Sequence, residues 1–356
     1  MALTTDQKYE LITRNLQEKI VDEDVMKKIL EKRPYRIYWG TAPTSMPHLG
    51  YFAPMFKIID FLQAGCEVTI LIADLHAVLD NMKSNFNQIE ARSKVYTLVI
   101  QTLLTSLGCD ITKLKFIKGT DFQLNEDYTL DMYKAHTLIS VHDAKHAGAE
   151  VVKQSDNPKM AGLMYPTLQA LDEQYLGVDC SLGGIDQKKI MMHARTLLPK
   201  LGYKKKDELM NSMVPGLRFE KKTDYDTDKM SSSDIDKKIS LIDTKNIIKT
   251  KVNKCYCLQG DVEDNCLLSV TESIIFPCLK LKGLNFTINR RPEYGGPMTY
   301  IEFEDLKNEF AKSEIHPGDL KIGVADNLDL IIDPIRSAFK DKEMVSLINR
   351  AYPIKN

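Results

Sequence analysis

Residues 67–73 read EVTILIA, a nearly continuous run of β-branched and apolar side chains. A strand with one wet face alternates apolar and polar residues, so a run without alternation marks a strand buried on both faces. Such a strand needs helices above and below it, which favours a parallel sheet joined by right-handed crossovers. The flanking sequence agrees. Residues 36–40 (RIYWG) read as a short strand, followed by a Pro-rich loop and a helix from near Gly50 with Pro54 in its first turn. A long amphipathic helix over 86–107 leads to a strand at 114–118, and 178–182 is a further short strand ended by Gly183 and Gly184. This alternation predicts a Rossmann-like α/β domain with a parallel sheet, whose ligands lie beyond the carboxyl ends of the strands.

Outside that core the pattern changes. Residues 11–30 carry helical spacing, so one or two helices are expected ahead of the sheet. From Ile247 onward the alternation is lost, and 265–281, 302–312 and 318–339 all read as helices. The expected division is N-terminal helices over 1–34, the α/β domain over 35–243, and a mainly α-helical domain over 244–356.

Composition narrows the function classes. No apolar run is long enough to cross a bilayer, and the opening residues lack the basic-then-apolar layout of a signal peptide. One Arg by residue 14 and several acids argue against an organelle transit peptide. The seven cysteines are scattered, mostly in apolar runs, as expected of reduced core thiols in a cytoplasmic protein. Cys255, Cys257, Cys266 and Cys278 contain no CxxC pair, and no structural metal is expected. A net charge of −1 leaves nucleic-acid contact to local patches, such as Lys188, Lys189, Arg195 and Lys200 on one expected helix. Read alone, that patch is equally a solvated helix face.

Three motifs carry chemistry. Pro47-His48-Leu49-Gly50-Tyr51 follows a strand and opens a helix, where free N–H groups and the positive dipole end suit phosphate and an imidazole can donate to a developing negative charge. A histidine there is otherwise a helix cap. Asp228-Lys229-Met230-Ser231-Ser232-Ser233 offers an ammonium and three hydroxyls to a triphosphate, or is a solvated loop. Tyr165, Gln169 and Asp172, at i, i+4 and i+7, put a phenol, an amide and a carboxylate on one face of an apolar helix. Burying them costs free energy unless each finds a partner, in the core or in a ligand.

The first two motifs, in this order around an α/β sheet, resemble the HIGH and KMSKS signatures of class I aminoacyl-tRNA synthetases. With the third, the chain from about residue 11 to 338 resembles tyrosyl-tRNA synthetases of the archaeal and eukaryotic type. The resemblance implies ATP-dependent activation of L-tyrosine, with Mg²⁺ accompanying pyrophosphate, and transfer to tRNA(Tyr). It implies that Tyr38 and Asp172 hold the substrate's phenolic hydroxyl, that Tyr165, Gln169 and Gln187 hold its ammonium group, and that His76 and Gln123 line the pocket. ATP would be bound by Gly40, His48, Gly50, Tyr51, Gly183, Gly184, Asp186, Lys229 and Met230, with His48, Lys229, Ser231 and Ser232 acting on the phosphates. Residues 35–243 then become the catalytic domain, with a homodimer-forming segment at about 120–165, and 244–356 the anticodon-binding domain. There Tyr294 would stack on an anticodon base, Asp319 would bond its edge, and His316 lies in the same surface; Lys188 would contact the acceptor stem.

A site built to bond a hydroxyl is left with unpaired groups when the hydroxyl is missing. Tyrosyl-tRNA synthetases are themselves the standard case, at roughly 10⁵ against phenylalanine, a figure belonging to the family and not calculated from this chain. Three departures stand out: Tyr51 in place of the second histidine of HIGH, Ser45-Met46 in place of Gly-Lys before Pro47, and serine at 232 where KMSKS has its second lysine. The rival readings are a tryptophanyl-tRNA synthetase, a catalytically idle RNA-binding protein on the same scaffold, and a small-molecule adenylyltransferase.

Overall fold

The computed structural model describes residues 3–80, 83–152, 157–221, 237–263 and 265–353. The chain opens with α1 (Thr5–Thr13), capped by Thr4 and Gln7 in a reciprocal box, then β1 (Glu18–Ile20) and α2 (Glu23–Leu30). The two expected helices are therefore separated by a strand that the helical spacing concealed. The alternating core follows: β2 (Arg36–Thr41), α3 (Phe52–Gln63), β3 (Glu67–Ile72), α4 (Asp74–Leu79), α5 (Phe86–Ser106) and β4 (Leu114–Lys118). Three helices, α6 (Glu126–His136), α7 (Val141–Gly148) and α8 (Met160–Tyr175), lead to β5 (Cys180–Gly184), α9 (Lys188–Lys200) and β6 (Asp207–Asn211).

The six strands lie in the order β1-β6-β5-β2-β3-β4. All neighbours are parallel except β1, which runs antiparallel to β6 along the edge. The order reverses between β2 and β5, so a crevice opens beyond their carboxyl ends, at Gly40-Thr41 and Gly183-Gly184. β5 starts two residues later than the apolar run suggested and includes both glycines, because they pair with Met210 and Asn211 of β6. In β3, Val68 through Ile72 are all buried, as a doubly covered strand requires.

The remainder comprises α10 (Lys245–Lys254), α11 (Cys266–Val270), α12 (Phe276–Lys282), α13 (Phe303–Ala311), α14 (Pro317–Ser337) and α15 (Lys342–Ala351). The helix expected over 265–281 is split by a π turn at Thr271–Ile275. Pro277 has no N–H to bond the preceding turn, and the wider turn absorbs the loss. A small hairpin, β7 (Phe286–Ile288) with β8 (Met298–Tyr300), interrupts the helical run. α14 and α15 pack on α5, and one apolar cluster runs from Ile12 through the sheet to Ala351. Each fully buried Leu, Ile or Val there contributes about 1.5–3 kcal/mol. Among the described residues no helix is long and apolar enough to cross a membrane.

Candidate functional site

A cavity of about 340 Å³ occupies the crevice between β2 and β5. Its floor is the end of the sheet and its wall is α8, which presents Tyr165, Gln169 and Asp172 as the i, i+4, i+7 spacing predicted. Tyr38 reaches it from β2, His76 from α4, and Gly183, Gly184, Asp186 and Gln187 from the β5–α9 turn. Gly40, His48 and Tyr51 complete the lining, while Gly50 faces an adjoining hollow of about 140 Å³ shared with His48 and Asp186.

At one end lies Asp172, 1% exposed. Its Oδ1 accepts from Gln123 Nε2 at 2.7 Å and lies 2.9 Å from the Tyr128 hydroxyl. Its Oδ2 is buried with no hydrogen-bond partner, and His76 Nε2 stands 3.8 Å away. Burial pushes the Asp172 carboxyl up to about 8 against the opposing pull of Gln123 and Tyr128. Burial alone lowers His76 to about 4, so its ring is neutral at pH 7 and cannot pair with a carboxylate as a cation. Both His76 nitrogens are also without partners, and Tyr165 meets that ring edge-on with centroids 4.6 Å apart. Midway along the wall, Gln169 Nε2 donates to Gln187 Oε1 at 3.2 Å, tying α8 to the β5–α9 turn.

The other end is built on the first motif. His48 caps the turn Leu49–Tyr51, its Nδ1 accepting from the Gly50 N–H at 3.2 Å. Capping and function are thus compatible: Nδ1 is the acceptor, so the ring proton sits on Nε2. Burial, helped by the nearby Lys238 ammonium, lowers His48 to about 4, which keeps it a neutral donor. A Cβ on residue 50 would come within 2.9 Å of the imidazole, so only glycine lets the ring lie over the turn. At residue 184 a Cβ would come within 2.6 Å of Asp186 Oδ1.

Lys229, Met230, Ser231 and Ser232 lie outside the described residues. The chain on either side of them is fixed beside His48. Leu49 N–H donates to the Ile239 carbonyl, Leu241 N–H to that of Pro47, and Leu217 N–H to that of Lys237. At the Ser45-Met46 departure, the Ser45 carbonyl accepts from Tyr96 and Tyr352, and Lys238 Nζ donates to Ser45 Oγ at 3.3 Å. A lysine from a distant segment thereby reaches the loop that lacks its own.

The residues expected to touch tRNA lie elsewhere. Lys188 pairs with Glu18 at 2.7 Å and lines a separate groove on the α7–α9 side. Arg290 donates to the Gly296 carbonyl at 3.0 Å, closing the turn that carries Tyr294, and stands 3.9 Å from Asp319 Oδ2. His316 caps α14 through its Nδ1.

Sequence reasoning missed Tyr128, Asp80 and Lys83. Tyr128 is a buried aromatic on a helix with no motif, and only its tertiary contact with Asp172 marks it. Asp80 and Lys83, paired at 2.6 Å, line the cavity just past α4, close to the flagged His76. Among the described residues no three His, Cys, Asp or Glu side chains converge as metal ligands.

Comparison with known proteins agrees with this geometry. A family model described as tRNA synthetases class I (W and Y) matches residues 30–332. The chain is 50% identical over 351 residues to the cytoplasmic tyrosine–tRNA ligase of Danio rerio, covering 99% of this chain and 64% of the relative. It is 48% identical to the cytoplasmic tyrosine–tRNA ligase of Saccharomyces cerevisiae, covering 97% of this chain and 88% of the relative. The crystal structure of tyrosyl-tRNA synthetase from Archaeoglobus fulgidus complexed with L-tyrosine superposes with a TM-score of 0.79 at 34% identity, covering 94% of this chain and 99% of that one. The chain thus spans less than two thirds of the length of the vertebrate relatives it matches.

Proposed function

The chain belongs to the class I tRNA synthetases of the tryptophan and tyrosine type, and on that premise we propose that it is a cytoplasmic tyrosine–tRNA ligase, activating L-tyrosine with ATP and transferring it to tRNA(Tyr). The observation that carries tyrosine over tryptophan is Asp172: a buried carboxyl with one oxygen held and the other unpartnered at the blind end of the cavity, beside Tyr38. A phenolic hydroxyl donates to that oxygen while its own oxygen accepts from the Tyr38 hydroxyl, whereas an indole N–H is a donor only and leaves Tyr38 without its partner.

Tyrosine lies with its hydroxyl between Tyr38 and Asp172 and its ammonium group towards Tyr165, Gln169 and Gln187. Its carboxylate attacks the α-phosphorus of ATP in line, giving tyrosyl-adenylate and pyrophosphate. The Nε2–H of His48 and the N–H groups of the turn it caps donate to phosphate oxygens as charge builds. Lys229, with Ser231 and Ser232, serves the departing pyrophosphate, and Met230 belongs to the same ATP-binding motif. Asp186 takes the ribose, and Gly40, Gly183 and Gly184 leave room for it. Mg²⁺ arrives as part of the Mg–ATP substrate. The 2′-hydroxyl of the terminal tRNA adenosine then attacks the adenylate carbonyl, displacing AMP. No side-chain nucleophile is needed.

The finer partners follow the same reading. Residues 244–356 act as the anticodon-binding domain, with Tyr294, Asp319 and His316 on the first anticodon base, and Lys188 exchanges Glu18 for the acceptor stem. The segment at 120–165 pairs with a second copy; Leu130, Tyr133, Val141 and Met160 are largely exposed there. ATP–pyrophosphate exchange with single amino acids tests the core of the reading. Tyrosine-dependent exchange at least a hundredfold above tryptophan and phenylalanine is expected, and exchange with tryptophan instead would transfer the assignment to the rival.

A further inference from the structure

The carboxyl that reads the hydroxyl is itself held by a residue from another helix. Tyr128, on α6, is 1% exposed, and its ring packs against Phe122 and Tyr175. Its hydroxyl stands 2.9 Å from Asp172 Oδ1 and also 2.9 Å from the Leu168 carbonyl. A hydroxyl has one proton, so it donates to one of these acceptors at a time. Gln123 donates to the same Oδ1, and Oδ2 is left alone in the cavity.

We propose that Tyr128 is a positioning residue for hydroxyl recognition: with Gln123 it fixes Oδ1, so that Oδ2 alone meets the substrate, and its proton turns between Asp172 and Leu168 as the carboxyl changes protonation state. When Asp172 is ionised, Tyr128 donates to Oδ1. When Asp172 carries a proton there, Asp172 donates to the Tyr128 oxygen and Tyr128 donates to the Leu168 carbonyl. No atom moves by more than a hydroxyl rotation, and neither Oδ1 nor the Tyr128 hydroxyl is stranded in either state. The protein by itself tolerates the neutral carboxyl, and tyrosine, which needs Oδ2 as an acceptor, selects the ionised one.

The titratable groups facing Asp172 are His76 and Asp74 from α4, Tyr38 from β2, Tyr165 and Glu173 from its own helix, and Tyr128. None is a cation at neutral pH, since His76 titrates at about 4. Hydrogen-bond donors therefore carry the stabilisation of the carboxylate, and Tyr128 is one of two.

This inference rests on the tyrosine reading above, and the test separates the two. Tyr128→Phe removes one oxygen and keeps the ring. The expected result is a KM for tyrosine raised on the order of tenfold with kcat and the KM for ATP changed little, the size of one hydrogen bond to a charged acceptor. The preference for tyrosine over phenylalanine falls by a similar factor. The midpoint at which kcat/KM for tyrosine rises with pH moves upward, because a donor to the carboxylate is gone. An unchanged midpoint and an unchanged tyrosine-to-phenylalanine ratio would overturn the proposal, while absent tyrosine-dependent exchange in the parent would instead overturn the tyrosine reading. A loss of activity equal for both amino acids, without a pH shift, would mark Tyr128 as merely structural. If the variant melts too low for assay, ¹³Cζ-tyrosine NMR of the parent decides: the Tyr128 resonance must titrate with Asp172 and cease to titrate in Asp172→Asn.

Discussion

Two parts of this molecule each offer a tyrosine and an aspartate, in opposite surroundings. Tyr38 and Asp172, 3% and 1% exposed, close the blind end of the cavity. Tyr294 is 66% exposed on the tail, and Asp319 leans towards Arg290 at the start of α14. In the cavity water cannot compensate a missing partner, so an absent hydroxyl strands buried groups and the penalty is large. On the tail a missed contact is refilled by water and salt screens the charge, so each contact is worth less. On the proposed reading, the same residue types serve stringent choice of a small molecule in one place and modest reading of a base in the other.

The comparison can be broken experimentally. The largest effect is expected for Asp172→Asn, which presents an amide of the same shape. Tyrosine-dependent exchange should fall by about three orders of magnitude, with the gap to phenylalanine narrowing in step, since the site no longer strands a carboxylate. Next comes a matched pair of substitutions. Tyr38→Phe should raise the KM for tyrosine about tenfold or more, because on the proposed reading its hydroxyl bonds the substrate. Tyr294→Phe should leave tRNA charging nearly unchanged, because a ring stacks without its hydroxyl. Equal losses in both would dissolve the contrast.

Smaller still is Asp319→Ala. Charging of tRNA transcripts should lose about tenfold of its preference at the first anticodon position, with exchange untouched and the residual preference weaker at high salt. The smallest effect is on stability. The folded-state pKa of Asp172 is raised to about 8, above the ordinary carboxylate value, so its contribution is present at low pH and is lost as pH rises towards 8. Asp172→Asn has no such loss. Its melting temperature should gain on the parent's between pH 5 and 8 by a few degrees, as followed by differential scanning calorimetry. A constant gap across that range would mean the carboxyl ionises freely when folded.

Much of the frame was legible beforehand, for reasons particular to each element. The run at 67–73 could only be a doubly covered strand, and it is β3. The i, i+4, i+7 spacing of Tyr165, Gln169 and Asp172 put them on one face of α8 wherever that helix packed. Short edge elements were missed because three residues carry no period: β1 hides between two helices, and the β7–β8 hairpin interrupts a helical stretch. β6 was missed as well; Glu208, a buried acid at its second position, disguises a strand that is otherwise covered.

The sequence by itself settled the chemistry on offer at each position, because a motif is a local arrangement of backbone and donors. His48 ahead of Gly50, and the amide, phenol and carboxylate of α8, are such arrangements. Tertiary structure decided which of these groups are left wanting. That Asp172 keeps one oxygen partnered by Gln123 and Tyr128 and the other bare depends on α6 packing against α8 across more than forty residues of chain. That His48 stands beside the returning segment of residues 239–241 depends on a pairing across nearly two hundred. Burial and the supply of partners are properties of the packed whole, and no local spacing encodes them.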